Sequence, residues 1–285
     1  MGKPNWKRKH QQRGSRPQPG EKPQPQPPRP QTLAQLQAGR YAAPRDEPIA
    51  IDARLTLQEP FQFPPTLIDR LRRRDVNVKE AFTLRDGSGD YFRASLRELG
   101  PAGGMALPYE KMSRSPEPNV EITLACAVLG RQRMIFVVQK ATELGVTNIV
   151  PLITDHSVQA DGLEHERANA WPAQVVRAAK QCRRGSLPAV LPPTTLEGFM
   201  QSPTFQQADV RVMLDDRSEH GAAPPVPPKR IVLLIGPEGG FSDAERTRLA
   251  GHVTPWFLGG RILRAETAVL VGLTAVQMTW GDFAV

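Results

Sequence analysis

Residues 231–268 read IVLLIGPEGGFSDAERTRLAGHVTPWFLGGRILRAETA, and two strand-to-helix units are legible in them. Ile231 to Ile235 is an apolar, β-rich run of the kind buried on both faces of a parallel sheet. It stops at Gly236-Pro237-Glu238-Gly239-Gly240, where Gly-Pro and Gly-Gly demand a tight backbone turn. Ser242 then reads as an N-cap, and Glu245 completes the S-x-x-E capping box of a helix. The second unit repeats the pattern: Trp256-Phe257-Leu258, then Gly259-Gly260, then a helix starting near Glu266. Two such turns at the carboxyl ends of adjacent strands would enclose a crevice lined by backbone N–H and C=O groups. In open α/β sheets that is where a small ligand sits. The glycines serve equally well if they only make tight turns, so the pattern alone leaves both readings open. GPEGG has neither the G-x-x-x-x-G-K-[ST] spacing of a phosphate loop nor the G-x-G-x-x-G of a dinucleotide site, which disfavours triphosphate binding.

Upstream, apolar runs alternate with helical periodicity. Val120–Val128 reads as a buried strand, and Arg131–Leu144 as a helix apolar at Ile135, Val138, Ala141 and Leu144, with Gly145 as its C′ residue. A strand at Asn148–Leu152, a long helix over Ala168–Cys182 and a strand at Val210–Leu214 follow. The alternation means a parallel sheet with helices on both faces. Downstream, the helix from about Glu266 to Trp280 carries Leu270, Leu273, Gln277 and Trp280 near one stripe, with Val269, Val276 and Met278 around it. That much apolar surface implies deep burial, against the sheet or against another subunit.

Residues 46–118 change character to short runs broken by turn residues. Ile49–Ile51, Ala81–Leu84 and Tyr91–Ala94 read as strands of a small β-barrel, with Asp86–Asp90 as a hairpin turn. A helix near Thr66–Arg74 carries Arg70, Arg72, Arg73 and Arg74. Residues 100–118, with Pro101, Gly103, Gly104, Pro108, Pro116 and Pro118, read as turn and linker.

Charge is unevenly spread. Residues 1–45 hold ten Lys and Arg, one acidic residue and nine prolines; the chain's net +8 is the +9 of this segment and the −1 of everything after it. Such a segment buries too little apolar surface to offset chain entropy and is expected to be disordered. It either holds RNA phosphates or acts as a solubilising extension. Cys126 and Cys182 lie in no metal-like or disulfide pattern, and no apolar run approaches the length of a membrane span or a secretion signal. The expectation is a cytoplasmic protein without metal or membrane association.

GPEGGFSDAE and LGGRILRAETA, together with QKATELGVTNIVPLITDHSV at 139–158 and AAKQCRRGSLP at 178–188, resemble the SPOUT RNA methyltransferases. Within that superfamily they are most similar to the ribosomal RNA small subunit methyltransferase E family. The resemblance implies an α/β fold: a parallel-sheet SPOUT domain over 119–285, with a C-terminal trefoil knot and a homodimer interface. A PUA-like RNA-binding β-barrel over 46–118 would precede it. The implied cofactor is S-adenosyl-L-methionine, held by Leu214, Gly236, Pro237, Glu238, Gly239, Gly240, Leu258, Gly259, Ile262, Leu263 and Thr267. The implied substrate is 16S ribosomal RNA in the small ribosomal subunit, with Arg72, Arg74, Lys140, Gln181 and Arg184 on the RNA side.

The implied reaction is methylation of uridine N3 (uridine 1498 in the conventional numbering). It needs removal of a weakly acidic imide proton and a cation to stabilise the charge that develops. Arg261 and Arg264 could supply the cation, and Glu266 or Glu238 could take the proton. Each has a plainer reading: Glu266 as a favourable charge in a first helical turn, Arg264 as its ion-pair partner, Lys140 as the partner of Glu143. At the level of function, a catalytically silent RNA-binding or ribosome-assembly factor and a SPOUT enzyme acting on another base stay open.

Overall fold

The computed structural model describes residues 41–217 and 227–283, so residues 1–40 of the extension expected over 1–45 lie outside the described residues. The first sheet contains β1 (Ile49–Ala50), β2 (Phe61–Phe63), β3 (Ala81–Arg85), β4 (Tyr91–Gly100) and β5 (Gly103–Lys111), in the order β1-β3-β4-β5-β2. β1 is parallel to β3 and the other pairs are antiparallel, giving a mixed sheet. Its core is Phe63, Leu71, Phe82, Leu84, Phe92 and Leu96, with Leu71 supplied by α1 (Ile68–Arg73).

β5 corrects the expectation of a linker over 100–118. Its glycines and proline fit a strand because they sit at a hairpin end, at a close contact and at a register shift. Gly103, at φ 131°, closes the β4–β5 hairpin, and a Cβ on Gly104 would collide with the Phe63 ring. Pro108 falls where the β4–β5 register shifts, a position at which its missing N–H breaks no ladder bond.

The second unit runs β6 (Glu121–Ala127), α2 (Arg131–Glu143), β7 (Asn148–Ile153), α3 (Trp171–Gln181), β8 (Ala189–Val190), β9 (Thr194–Thr195), α4 (Leu196–Met200), α5 (Pro203–Gln206), β10 (Val210–Leu214), β11 (Arg230–Ile235), α6 (Asp243–Leu249), β12 (Thr254–Trp256) and α7 (Ala265–Trp280). The seven strands are parallel, in the order β12-β10-β11-β6-β7-β8, with β9 also on β7. β11 shows why the apolar run had to be continuous. Ile231, Leu233 and Ile235 enter the core under α2, α3 and α7, while Val232 and Leu234 enter the core under α4, α5 and α6. Gly145 takes φ 83° just after α2, and Ser242 and Glu245 form the full capping box of α6.

Two boundaries differ from the sequence reading. Residues 41–45 do not belong to the extension. Ala43 and Asp46 pair antiparallel with Val190 and Leu187, and Tyr41, 1% exposed, packs on Trp171 at 6.5 Å. The strands ending in the two glycine turns are also not adjacent, because β10 lies between β11 and β12. β12 also lies two residues earlier than expected: it spans Thr254–Trp256, which sends Phe257 and Leu258 into the connection that follows.

Candidate active site

The carboxyl ends of β10, β11 and β12 surround a cleft of ≈ 270 Å³. Its walls include Leu214 and Asp215 at the end of β10, Gly236 to Phe241 after β11, Trp256 to Gly259 at the end of β12, Arg261, Ile262 and Leu263 leading into α7, and Ala265 and Ala268 within it. The structure thus brings together Leu214, the five residues from Gly236 to Gly240, Leu258, Gly259, Ile262 and Leu263. Ile262 is 87% exposed, so an apolar face waits at the cleft mouth.

Close approach explains the glycines. A Cβ on Gly239 would crowd the His156 ring, one on Gly236 would press on Phe241, and Gly240 takes φ 69°. Gly272 plays the same part from α7: a Cβ there would meet Leu214 Cδ1 at 2.9 Å and Leu233 Cδ2 at 3.1 Å. The helix therefore lies directly on the wall of the cleft.

Thr267 departs from expectation. Ala265 and Ala268, three apart, turn toward the cleft, which leaves Thr267 exposed and outside its wall. Arg261 lines the cleft with an exposed side chain, and Arg264 is exposed at the N-cap of α7. Glu266, half-buried in the first turn, has a buried Oε2 with no hydrogen-bond partner. Glu238 is instead ion-paired with Arg133 of α2.

The five residues expected on the RNA side divide. Arg72 and Gln181 are exposed, and Lys140 pairs with Glu143 at 2.8 Å, as its plainer reading had it. Arg74 and Arg184 do not face solvent, which corrects their expected place on an RNA surface. Arg74, at the end of α1, binds the Asp46 carboxylate at 3.0 Å and donates to the carbonyls of Gly185, Asp46 and Glu47. Burial pulls its pKa below the ordinary value, and the Asp46 charge pulls it back up. Arg184 donates to the carbonyls of Thr142 and Val146 and bridges to Glu117 at 3.1 Å. Both guanidinium groups are enclosed where the two sheets meet, so neither offers its charge to a phosphate.

Sequence reasoning missed Asp215, Arg246, Arg133 and the wider reach of Glu245. Asp215 carried a signal: a carboxylate directly after an apolar strand, at the end of the sheet where ligands sit. Arg246 and Arg133 carried none, because surface arginines are common on helices. Elsewhere, burial pushes the Cys126 thiol up to about 12, which leaves it inert.

A parallel sheet with its cleft at the carboxyl edge is the architecture of a nucleotide-cofactor enzyme, and the RNA methyltransferase domain family matches residues 116–277. Ribosomal RNA small subunit methyltransferase E of Mesomycoplasma hyopneumoniae is 30% identical over 182 residues, 63% of this chain and 79% of the relative. The Synechocystis protein of the same name is 31% identical over 203 residues, 70% of this chain and 66% of the relative. A crystal structure of that enzyme from Neisseria gonorrhoeae, bound to S-adenosyl methionine, is 29% identical with a TM-score of 0.60, over 84% of this chain and 100% of that one. The chain belongs to the ribosomal RNA small subunit methyltransferase E family.

Proposed function

We propose that the protein transfers the methyl group of S-adenosyl-L-methionine to N3 of a uridine in 16S ribosomal RNA of the small ribosomal subunit. The observation that carries this reading is the cleft at the ends of β10, β11 and β12, in a chain of this family. Its residues suit the cofactor: a mostly backbone-walled turn for adenine and ribose edges, with apolar flanks. When bound, the cofactor supplies an electrophilic methyl group.

In this reading the backbone from Gly236 to Gly240 binds the adenosine, and Leu214, Leu258, Ile262 and Leu263 exclude water from the base. Glu266 accepts the N3 proton, because its buried Oε2 has no other partner, whereas Glu238 is engaged by Arg133. Arg261 or Arg264 stabilises the negative charge on the pyrimidine. The target base leaves its stack to enter. The five-stranded sheet acts as a PUA-like RNA-binding module, with Arg72 on its exposed helix face.

Exposed Val271 and Met278, seven apart on one stripe of α7, support a homodimer through that helix. Among the described residues no helix is long and apolar enough to cross a membrane, and we place the enzyme in the cytoplasm with the ribosome. The test is transfer of label from S-adenosyl-L-methionine to small ribosomal subunits that lack the modification, with the nucleoside identified by mass spectrometry. Labelled 3-methyluridine in 16S RNA is expected. Label in another nucleoside would overturn the target, and no transfer or cofactor binding would overturn the enzyme.

A further inference from the structure

The turn from Gly236 to Phe241 forms one wall of the cleft, and two consecutive residues of α6 hold it from opposite sides. Toward β10, Arg246 Nη1 donates to Asp215 Oδ1 at 2.6 Å, and its Nε donates to the Phe241 carbonyl at 3.2 Å. Asp215 is enclosed, its side chain 3% exposed, and its Oδ1 also accepts the Arg217 N–H at 3.1 Å. Toward β7, Glu245 Oε1 accepts the Asp155 N–H at 3.0 Å, while Oε2 accepts the Ser242 N–H at 2.9 Å. Ser242 Oγ donates to Asp155 Oδ2 at 2.5 Å, and His156 Nδ1 lies 3.1 Å from the Gly240 carbonyl oxygen.

A capping box needs only the Glu245–Ser242 half of this network. The bonds to Asp155 and Asp215 exceed what starting a helix requires, and both run to strand-end loops that border the turn. Consecutive helical residues leave the axis about 100° apart, so Glu245 and Arg246 can reach different walls from one turn of helix. The turn itself has little internal support: Gly240 donates to the Pro237 carbonyl at 2.9 Å and takes a left-handed backbone. Its shape is therefore set by its neighbours.

We propose that Glu245 and Arg246 are positioning residues that brace the 236–241 turn between the β7 and β10 loops. They hold its backbone in the form that takes the adenosine end of the cofactor. The proposal rests on reading the cleft as an S-adenosyl-L-methionine site. Its consequence is a split: cofactor affinity depends on the Arg246–Asp215 contact, while turnover at saturating cofactor does not.

The experiment is a double-mutant cycle of Arg246→Gln and Asp215→Asn in the full chain. Cofactor dissociation constants come from calorimetry, turnover from methyl transfer, and amide hydrogen exchange over 236–241 from the ligand-free protein. Each single substitution is expected to weaken cofactor binding about ten-fold, and the double no further, because both break one contact. Arg246→Lys, which keeps the charge but not the fork, falls between. Turnover at saturation stays within about three-fold, and exchange over 236–241 accelerates in every weakened variant. Additive losses in the cycle, or unchanged exchange in folded Arg246→Gln, would overturn the brace. A wild-type chain that binds no S-adenosyl-L-methionine would overturn the cofactor reading instead, and the exchange measurement would still decide the brace.

Discussion

One carboxylate oxygen of Glu266, in the first turn of α7, is enclosed with no hydrogen-bond partner. An orphaned acceptor of this kind costs free energy in the resting protein, and such costs are usually tolerated where the group has work to do on a ligand. The neighbouring groups define that work by contrast. Glu238 is neutralised by Arg133, and Asp215 is held by Arg246, so neither carboxylate is placed to accept a substrate proton. Glu266→Gln keeps the shape and removes the basicity. Turnover should fall about 100-fold or more, the usual scale of general-base catalysis, with cofactor affinity unchanged. Calorimetry beside a labelled-methyl assay checks both halves. A turnover within a few-fold of wild type would reduce Glu266 to a helix-dipole charge.

At the scale of elements, α7 joins the cleft to the rest of the sheet through a residue that looks out of place. Gln277 falls on the apolar stripe but is 1% exposed, donating to the Leu144 carbonyl at 2.7 Å and accepting the Asp282 N–H at 3.2 Å. It thus satisfies one of the orphan carbonyls at the end of α2. Gln277→Leu should destabilise the fold by about 1–3 kcal/mol, because it leaves that carbonyl buried without a donor. Chemical denaturation measures it, and a neutral result would mean that water replaces the amide.

The same helix shows what was legible. Its extent, its burial and the capping box of α6 follow from local patterns, because periodicity and caps are encoded within a few residues. The continuous apolar run of β11 likewise announced a strand covered on both faces. The residues that escaped are those whose role is fixed by a distant partner. Pro108 sits in a strand because β4 shifts register there, Arg74 is buried because Asp46 and Gly185 surround it, and Arg133 of α2 pairs with Glu238 of the turn after β11. No local pattern carries such information. Thr267 lies outside the cleft wall because of a helical phase that only the position of Ala265 and Ala268 settles.

At the scale of the molecule, polar contacts join the five-stranded sheet to the seven-stranded one. Glu80 accepts from Lys180 of α3 at 2.8 Å, Arg183 lies 3.3 Å from Glu110, and Thr83 Oγ1 donates to the Arg183 carbonyl at 2.8 Å. The Lys180 hydrogen bond, then the Asn77 N–H, hold the Glu80 carboxyl below the usual carboxylate range. A depressed carboxylate contributes stability above its unfolded pKa and loses it as pH falls through the folded one. The difference in stability between wild type and Glu80→Gln should therefore be present at neutral pH and close only as pH falls below the ordinary carboxylate range. It should stay within about 1 kcal/mol, since both partners are only half-buried and water screens the pair. Denaturation curves at several pH values test this, and a gap that persists in acid would assign the effect to packing.

The larger coupling lies in Arg74, which ties α1 to Asp46 on the edge segment and to Gly185 before β8. Arg74→Met keeps the aliphatic bulk but strips Asp46 of one of its two arginines and leaves the Gly185 carbonyl without this donor. Asp46 retains Arg70 at 2.9 Å, so the cost should fall near the low end for a broken buried pair, about 3 kcal/mol. The form of unfolding is more telling than its size. Trp171, Trp256 and Trp280 all belong to the seven-stranded unit, so among the described residues tryptophan fluorescence reports on that unit, while circular dichroism reports on both sheets. With Arg74 in place the two signals should change together in urea. In Arg74→Met the circular dichroism transition should begin at lower urea than the fluorescence transition, as the five-stranded sheet melts ahead of its neighbour. Coincident transitions in the variant would show that the sheets are coupled by their apolar contacts and that the enclosed arginine adds only stability.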